Sequence, residues 1–350
     1  MKAAFVIPGD IEALTGGYIY DRRVMQLLPS HGIDISLCRL PAGFPFPDAN
    51  DLAQTQTALA RIHPDTILLV DGLAWGALPP DLAGSVGPGV VALCHHPLGL
   101  EAGLTQQQSA AFLANERQTL AFADHVIVTS ATTRGTLTEQ LGVPSGRITV
   151  AEPGVDPAQR ARGSGGTPVL LAIGTVIPRK GYDVLIDACA QIADCDWRLV
   201  IAGSLERAPE TARTMLAQIE ACGLQGRITL AGEISSDTLE NAYATADLFV
   251  MSSHYEGYGM ALAEAMAHGL PIVTTTGGAM ASTVPDDAAI KVPPGDADAL
   301  GKALRRVIID PDTRNNLAEA AWRAGQSLSR WNDTAATIAG VLKDVARTRR

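Results

Sequence analysis

The chain reads as an α/β protein of two successive doubly wound, Rossmann-like parallel sheets, and three observations predict that. First, short apolar runs at residues 2–7, 33–38, 66–70, 90–94, 125–128 and 148–150 alternate with helical stretches at 18–31, 53–62, 106–122 and 131–141. Strands spaced by helices favour a parallel sheet covered on both faces. Second, the pattern pauses at AQRARGSGGT (158–167), which is polar, glycine-rich and without apolar periodicity, and then restarts. Third, 350 residues with 47% apolar and only 18% charged content suit two domains with ample cores. The second half repeats the alternation, with strands expected at 169–173, 197–202, 227–230, 248–251 and 271–274 and helices at 182–192, 210–222, 238–245 and 297–309. Residues 312–350 are helical in composition, with a break near Ser329-Arg330-Trp331.

Composition and charge narrow the function. A net charge of −10 argues against nucleic acid as a partner, since phosphate backbones are bound through lysine and arginine. Residues 1–158 hold eight Lys/Arg against fifteen Asp/Glu, so contact with an anionic membrane is not favoured; only the ARTRR end is basic. No stretch approaches the ~18 apolar residues of a spanning helix. The five cysteines (Cys38, Cys94, Cys189, Cys195, Cys222) are scattered and form no CxxC pair, which reads as reduced thiols of a soluble, cytoplasmic chain. Neither first strand-to-helix turn carries GxGxxG, which disfavours a dinucleotide oxidoreductase. Ligands of doubly wound sheets bind outside the carboxyl ends of the strands, and with two sheets the expected place is a cleft between them.

The most informative stretch is SSHYEGYGMALAEAMAHGLP (252–271). It reads as a strand end, a glycine-hinged loop and a short helix stopped by Gly269 with Pro271 beyond. Glu256 on the loop and Glu264 in the helix stand eight positions apart. Gly257, Tyr258 and Gly259 let backbone N–H groups approach an anion at the positive end of a helix. A carboxylate in an otherwise apolar helix calls for a partner, because an unpartnered one is costly.

This Glu-x7-Glu motif, followed by HGLPIVTTTGG, resembles the retaining glycosyltransferases of family GT4, which have the GT-B architecture of two facing Rossmann-like domains. PRKGYDVLIDA, DWRLVIAGS, GRITLAGEISSDTLENAYATADLFVMSSHYEGYG and VPPGDADAL resemble the same family in the same order. The resemblance implies an acceptor domain at 1–158, a linker at 159–167, a donor domain at 168–328, and a last segment, 329–350, that returns to the first domain. It also implies that Glu264 binds the nucleotide ribose, that Glu256 lies near the anomeric centre, and that Lys180 and Arg179 neutralise the diphosphate. The family arginine directly after the first strand of this domain is absent; Thr175 stands there, and Arg179, next to Lys180, is the candidate to replace it. Gly16 and Gly17 match the glycine pair that meets diphosphate or sugar, and His95, with His96 as the alternative, matches the histidine that reaches the donor sugar. Gly278 belongs to the next glycine pair, with Ser282 where a glutamate often stands, and Ser204 and Glu233 are nucleoside contacts.

The implied activity is transfer of a sugar, with retention, from a nucleoside-diphosphate sugar (UDP or GDP) to a hydroxyl of a small-molecule, glycan or lipid-linked acceptor. No cofactor and no metal are implied: the histidine pair has no HxxxH and no carboxylate at ligand spacing apart from nearby Glu101. A UDP-sugar 2-epimerase of the same fold and a non-catalytic nucleotide-sugar-binding protein are the alternatives.

Overall fold

A computed structural model describes residues 1–349. The chain divides into two compact units, Met1–Gly154 with the chain from Ser329 onward, and Val155–Leu328. The division falls ahead of the polar stretch 159–167 because Val155 is already buried in the core of the second unit.

The first unit holds six parallel strands, β1 (Lys2–Pro8), β2 (Asp34–Leu40), β3 (Ile67–Asp71), β4 (Val90–Cys94), β5 (His125–Val128) and β6 (Ile148–Val150), in the order β2-β1-β3-β4-β5-β6. Every residue of β3 and β4 is buried, as expected of strands covered on both faces. The order reverses between β1 and β3, so the carboxyl ends of β1, β3 and β4 lie side by side at the switch point. Helices Gly16–Leu27 and Ala131–Leu141 start at Thr15 and Ser130, whose hydroxyls accept the N–H groups of Tyr18 and Thr133. The helix expected at 53–62 starts earlier than the sequence suggests. Asp48 and Asp51 form a capping box that begins this helix at Ala49–Ala60. Helix Trp331–Thr348 packs on Gly16–Leu27, with Trp331 edge-on to Tyr20 at 5.8 Å.

The second unit repeats the plan with β7 (Val169–Ile173), β8 (Arg198–Ala202), β9 (Ile228–Gly232), β10 (Leu248–Met251), β11 (Ile272–Thr275) and β12 (Ala289–Val292), ordered β12-β11-β10-β7-β8-β9 and all parallel. β12 escapes sequence reading, being only four residues of mixed polarity. Two apolar clusters fill the faces of this sheet, one around Trp197 and Leu185 and the other around Phe249 and Met266. Among the described residues, no helix is long and apolar enough to cross a membrane.

Candidate functional site

In the second unit the predicted residues gather at the carboxyl ends of β7 and β10, the two strands at which the order reverses. The turn Pro178–Lys180 follows β7, and the loop to helix Met260–Ala267 follows β10. Glu256 is buried and held from three sides: Lys180 Nζ and Ser253 Oγ donate to Oε1, each at 2.7 Å, and Arg179 Nη1 lies 2.9 Å from Oε2. Arg179 also donates to the Tyr255 carbonyl at 2.7 Å. Burial alone would push the Glu256 carboxyl up, but the charges of Arg179 and Lys180 overcome it and hold the group well below the ordinary carboxylate range. Two cations against one carboxylate leave a net charge of about +1 at the strand ends, the right sign for an anionic ligand. A side chain at Gly174 would strike the Lys180 stem, its Cβ falling 2.7 Å from Cε, so glycine there lets lysine cross the end of β7.

Gly257, Tyr258 and Gly259 continue from Glu256 into the helix. Gly259 caps it in the left-handed region, at φ +92°, with no side chain on the first N–H groups. The helix Tyr182–Ala190 starts the same way at Gly181. Helix starts left without a side-chain cap suit an incoming anion. Gly278 forms a parallel bridge to Glu256, and Ala279 N–H donates to the Glu256 carbonyl at 2.8 Å, tying the two loops together. Ser282, in the place of the family glutamate, donates to the Ala279 carbonyl.

Glu264 is half-buried, and its Oε2 accepts a 2.6 Å hydrogen bond from the Tyr243 hydroxyl. Tyr243 is sandwiched between the ring of His268 (4.8 Å, 9°) and that of Phe249 (6.0 Å, 27°). Burial and the Glu264 charge keep the Tyr243 phenol protonated. Ser204, buried after β8, uses its carbonyl to accept Val176 N–H, so its backbone belongs to the same strand-end group. Glu233 is exposed after β9 and joins none of these contacts.

The first unit assembles a second group. His95 follows β4 and lies against Gly17, where an added Cβ would stand 3.4 Å from the ring; Gly16 is exposed one residue earlier. The alternative, His96, instead pairs with Glu101 at 3.0 Å. His95 Nε2 is 3.1 Å from Asp21 Oδ1 and 3.7 Å from Asp71 Oδ2. The expectation that no carboxylate but Glu101 accompanies the histidines is therefore corrected: two more reach His95 from 74 and 24 positions earlier, Asp21 in the helix after β1 and Asp71 at the end of β3. One donor atom from each of the three groups lies within 4.8 Å of the others, a spacing that a small cation can bridge. Burial pushes Asp21 up to about 7, and burial with the neighbouring Asp21 charge pushes Asp71 up to about 8. Burial lowers His95, so it is neutral. Tyr243, Asp21 and Asp71 were invisible to sequence reading, because each matters through a neighbour distant in the chain.

Both units are nucleotide-binding-type doubly wound folds, and the second carries a cationic group beside an uncapped helix start. The family model for glycosyl transferases group 1 matches residues 157–323, and that for glycosyltransferase family 4 matches residues 21–159. The chain belongs to the family 4 glycosyltransferases. Mannosylfructose-phosphate synthase of Agrobacterium fabrum is 29% identical over 239 residues, covering 63% of this chain and 53% of that protein. D-inositol 3-phosphate glycosyltransferase of Xylanimonas cellulosilytica is 28% identical over 252 residues, covering 67% and 60%. The matched stretch thus spans little more than half the length of these relatives. Sucrose-phosphate synthase from Thermosynechococcus elongatus superposes with a TM-score of 0.83 at 20% identity, covering 99% of this chain and 100% of that one. HepE of Anabaena, in complex with UDP and glucose, gives 0.76 at 18%, covering 98% and 100%. These neighbours establish the GT-B fold.

Proposed function

We propose that the protein is a retaining glycosyltransferase that moves a sugar from a nucleoside-diphosphate sugar to a hydroxyl of a small phosphorylated acceptor. The observation that carries this is the Arg179–Lys180–Glu256 group, net positive and mostly buried, at the strand ends beside the helix start at Gly259. In this reading the two cations and the N–H groups of residues 257–259 take up the charge of the departing diphosphate, the largest electrostatic demand of the reaction, so no metal is needed for that task. Glu264, with one oxygen fixed by Tyr243, presents the other to the ribose hydroxyls. Ser204 and Gly278 line the nucleotide and sugar ends. Glu256, locked as a carboxylate, faces positive charge developing at the anomeric carbon, and the departing phosphate takes the acceptor proton. UDP as nucleotide draws support from the HepE complex, and a phosphate-bearing acceptor from the names of the two curated relatives.

The test is a thermal-shift series with UDP, GDP, ADP and their sugar conjugates on wild type and Glu264→Ala. One nucleotide series should raise the melting temperature of the wild type and not of the variant. Nucleotide release should then depend on an added sugar phosphate or polyol phosphate. No shift with any nucleotide, or an equal shift in the variant, defeats the assignment. Turnover without acceptor would point to epimerisation instead.

A further inference from the structure

The Asp21–Asp71–His95 group is the most unusual feature of the first unit, and neither the family match nor the proposed reaction explains its two acids. Asp21 is fully buried and Asp71 is 2% exposed. No lysine or arginine forms an ion pair with either among the described residues; Arg22, beside Asp21, turns its guanidinium to the carbonyls of Ile11 and Ala13. The other titratable groups facing the cluster are Tyr20, edge-on to His95 at 5.2 Å, and Cys94 at the end of β4, which in turn faces Glu116. None of these neutralises two carboxylates.

Hydrogen bonding shows how the cluster is balanced. Asp71 Oδ1 accepts Leu73 N–H at 2.6 Å, leaving Oδ2 on the side of His95, in a group that also brings an Asp21 oxygen within 4.8 Å of the Asp71 carboxylate. Asp21 Oδ1 faces His95 Nε2, but Asp21 Oδ2, wholly buried, meets no N–H or hydroxyl donor. A buried acceptor without a donor is costly. The remaining source of a donor is a proton on Asp71. The histidine main chain is fixed as well, its carbonyl accepting the Thr129 hydroxyl at 3.0 Å.

We propose that Asp71 carries a proton donated to an ionised Asp21, and that Asp21 in turn accepts Nε2–H of His95, fixing the neutral tautomer whose Nδ1 is a hydrogen-bond acceptor for a ligand hydroxyl. Asp21 and Asp71 are then positioning residues, acting through His95. The role of Nδ1 rests on the reading of His95 as a sugar contact; the tautomer does not. With Asp21 raised to about 7, Asp71 to about 8 and the histidine lowered, the pair holds one proton beside a neutral ring between about pH 7 and 8.

The experiment is 15N NMR of histidine-labelled protein, with His95 assigned by the signal lost in His95→Gln. The Nε2–H tautomer is expected in the wild type between about pH 7 and 8, where the acid pair holds one proton. Asp71→Asn mimics the protonated acid and should keep that tautomer, whereas Asp21→Asn removes the anionic acceptor and should shift His95 toward a mixture. Thermal melts establish that each variant is folded. An Nδ1–H tautomer in the wild type, ordinary titration of His95 near 6.5, or identical behaviour of the two Asn variants overturns the proposal. So does a change of the His95 signals on adding stoichiometric Zn²⁺ that EDTA reverses, since a cation would then replace the proton. Transfer activity separates the two readings. With the tautomer confirmed, Asp21→Asn should slow transfer by at least about tenfold. A tautomer that behaves as stated in a protein that binds no nucleotide leaves the proton arrangement standing and defeats the glycosyltransferase reading.

Discussion

Two buried carboxylate groups sit at equivalent places in the two units, each at the switch point of a doubly wound sheet, and their electrostatics are opposite. Glu256 has Arg179 and Lys180 within 2.9 Å and stays ionised at any ordinary pH. Asp21 and Asp71 have no cation paired with them among the described residues, so burial prevails and the pair retains a proton up to about pH 8. The same carboxyl chemistry is set to opposite protonation states by whether a cation shares the pocket. A site that must meet an anion gains from the first arrangement, and a site that must meet hydroxyls from the second.

The strongest way to break this comparison is to strand the charges. Glu256→Ala leaves Arg179 and Lys180 buried without their counter-ion and should cost about 3–5 kcal/mol in urea unfolding. Asp71→Asn strands nothing, because the amide replaces a protonated acid, and should cost only about 1 kcal/mol. Equal losses would mean that the two groups are not electrostatic opposites. Glu264→Ala should leave stability nearly unchanged and weaken nucleotide binding about 10–100-fold by calorimetry, the worth of hydrogen bonds to a charged acceptor.

The pH dependence of each unit sharpens the contrast further. Asp21 and Asp71 are raised from 3.8 to about 7 and about 8, and Glu116 from 4.5 to about 7. The native first unit therefore holds protons that the unfolded chain has released, and its stability falls as pH rises from about 4 to 8. His95, lowered by burial, acts in the opposite sense below 6.5. Glu256 is lowered, so its contribution to the second unit is complete above 4.5 and is lost as pH falls below that value. Hydrogen exchange, corrected for intrinsic rates, should show β3 and β4 losing protection on going from pH 5 to 8 while β10 holds.

Sequence reasoning reached the second group more fully than the first, for a physical reason. Lys180, Glu256 and Gly278 each follow a strand of one parallel sheet, and strand ends of such a sheet share an edge whatever the strand order. That rule brings them together without knowing which strand neighbours which. Asp21 is different: it lies in the second turn of a helix, and its meeting with Asp71 and His95 depends on β1, β3 and β4 being adjacent, which periodicity does not reveal. The choice between His95 and His96 also waits on rotation about the end of β4, which aims one ring at Gly17 and the other at Glu101. The capping box at Asp48–Asp51 is local and legible in the sequence; a helix start at 53 overlooks it.

The smallest effect tests the finest detail of the second unit. Tyr243 touches no residue that the sequence marks as functional except Glu264, and its ring is clamped by His268 and Phe249, so the phenol oxygen has little freedom. Tyr243→Phe keeps that packing and removes the 2.6 Å bond to Glu264 Oε2 together with a longer, 3.4 Å bond to the Ala261 carbonyl. If Tyr243 serves to aim the carboxylate, loss of one hydrogen bond of about 1 kcal/mol should weaken nucleotide binding about fivefold. In Glu264→Ala, where there is nothing left to aim, the same change should have almost no further effect on binding. Additive losses in that double-mutant cycle would mean that the tyrosine supports the fold and not the carboxylate.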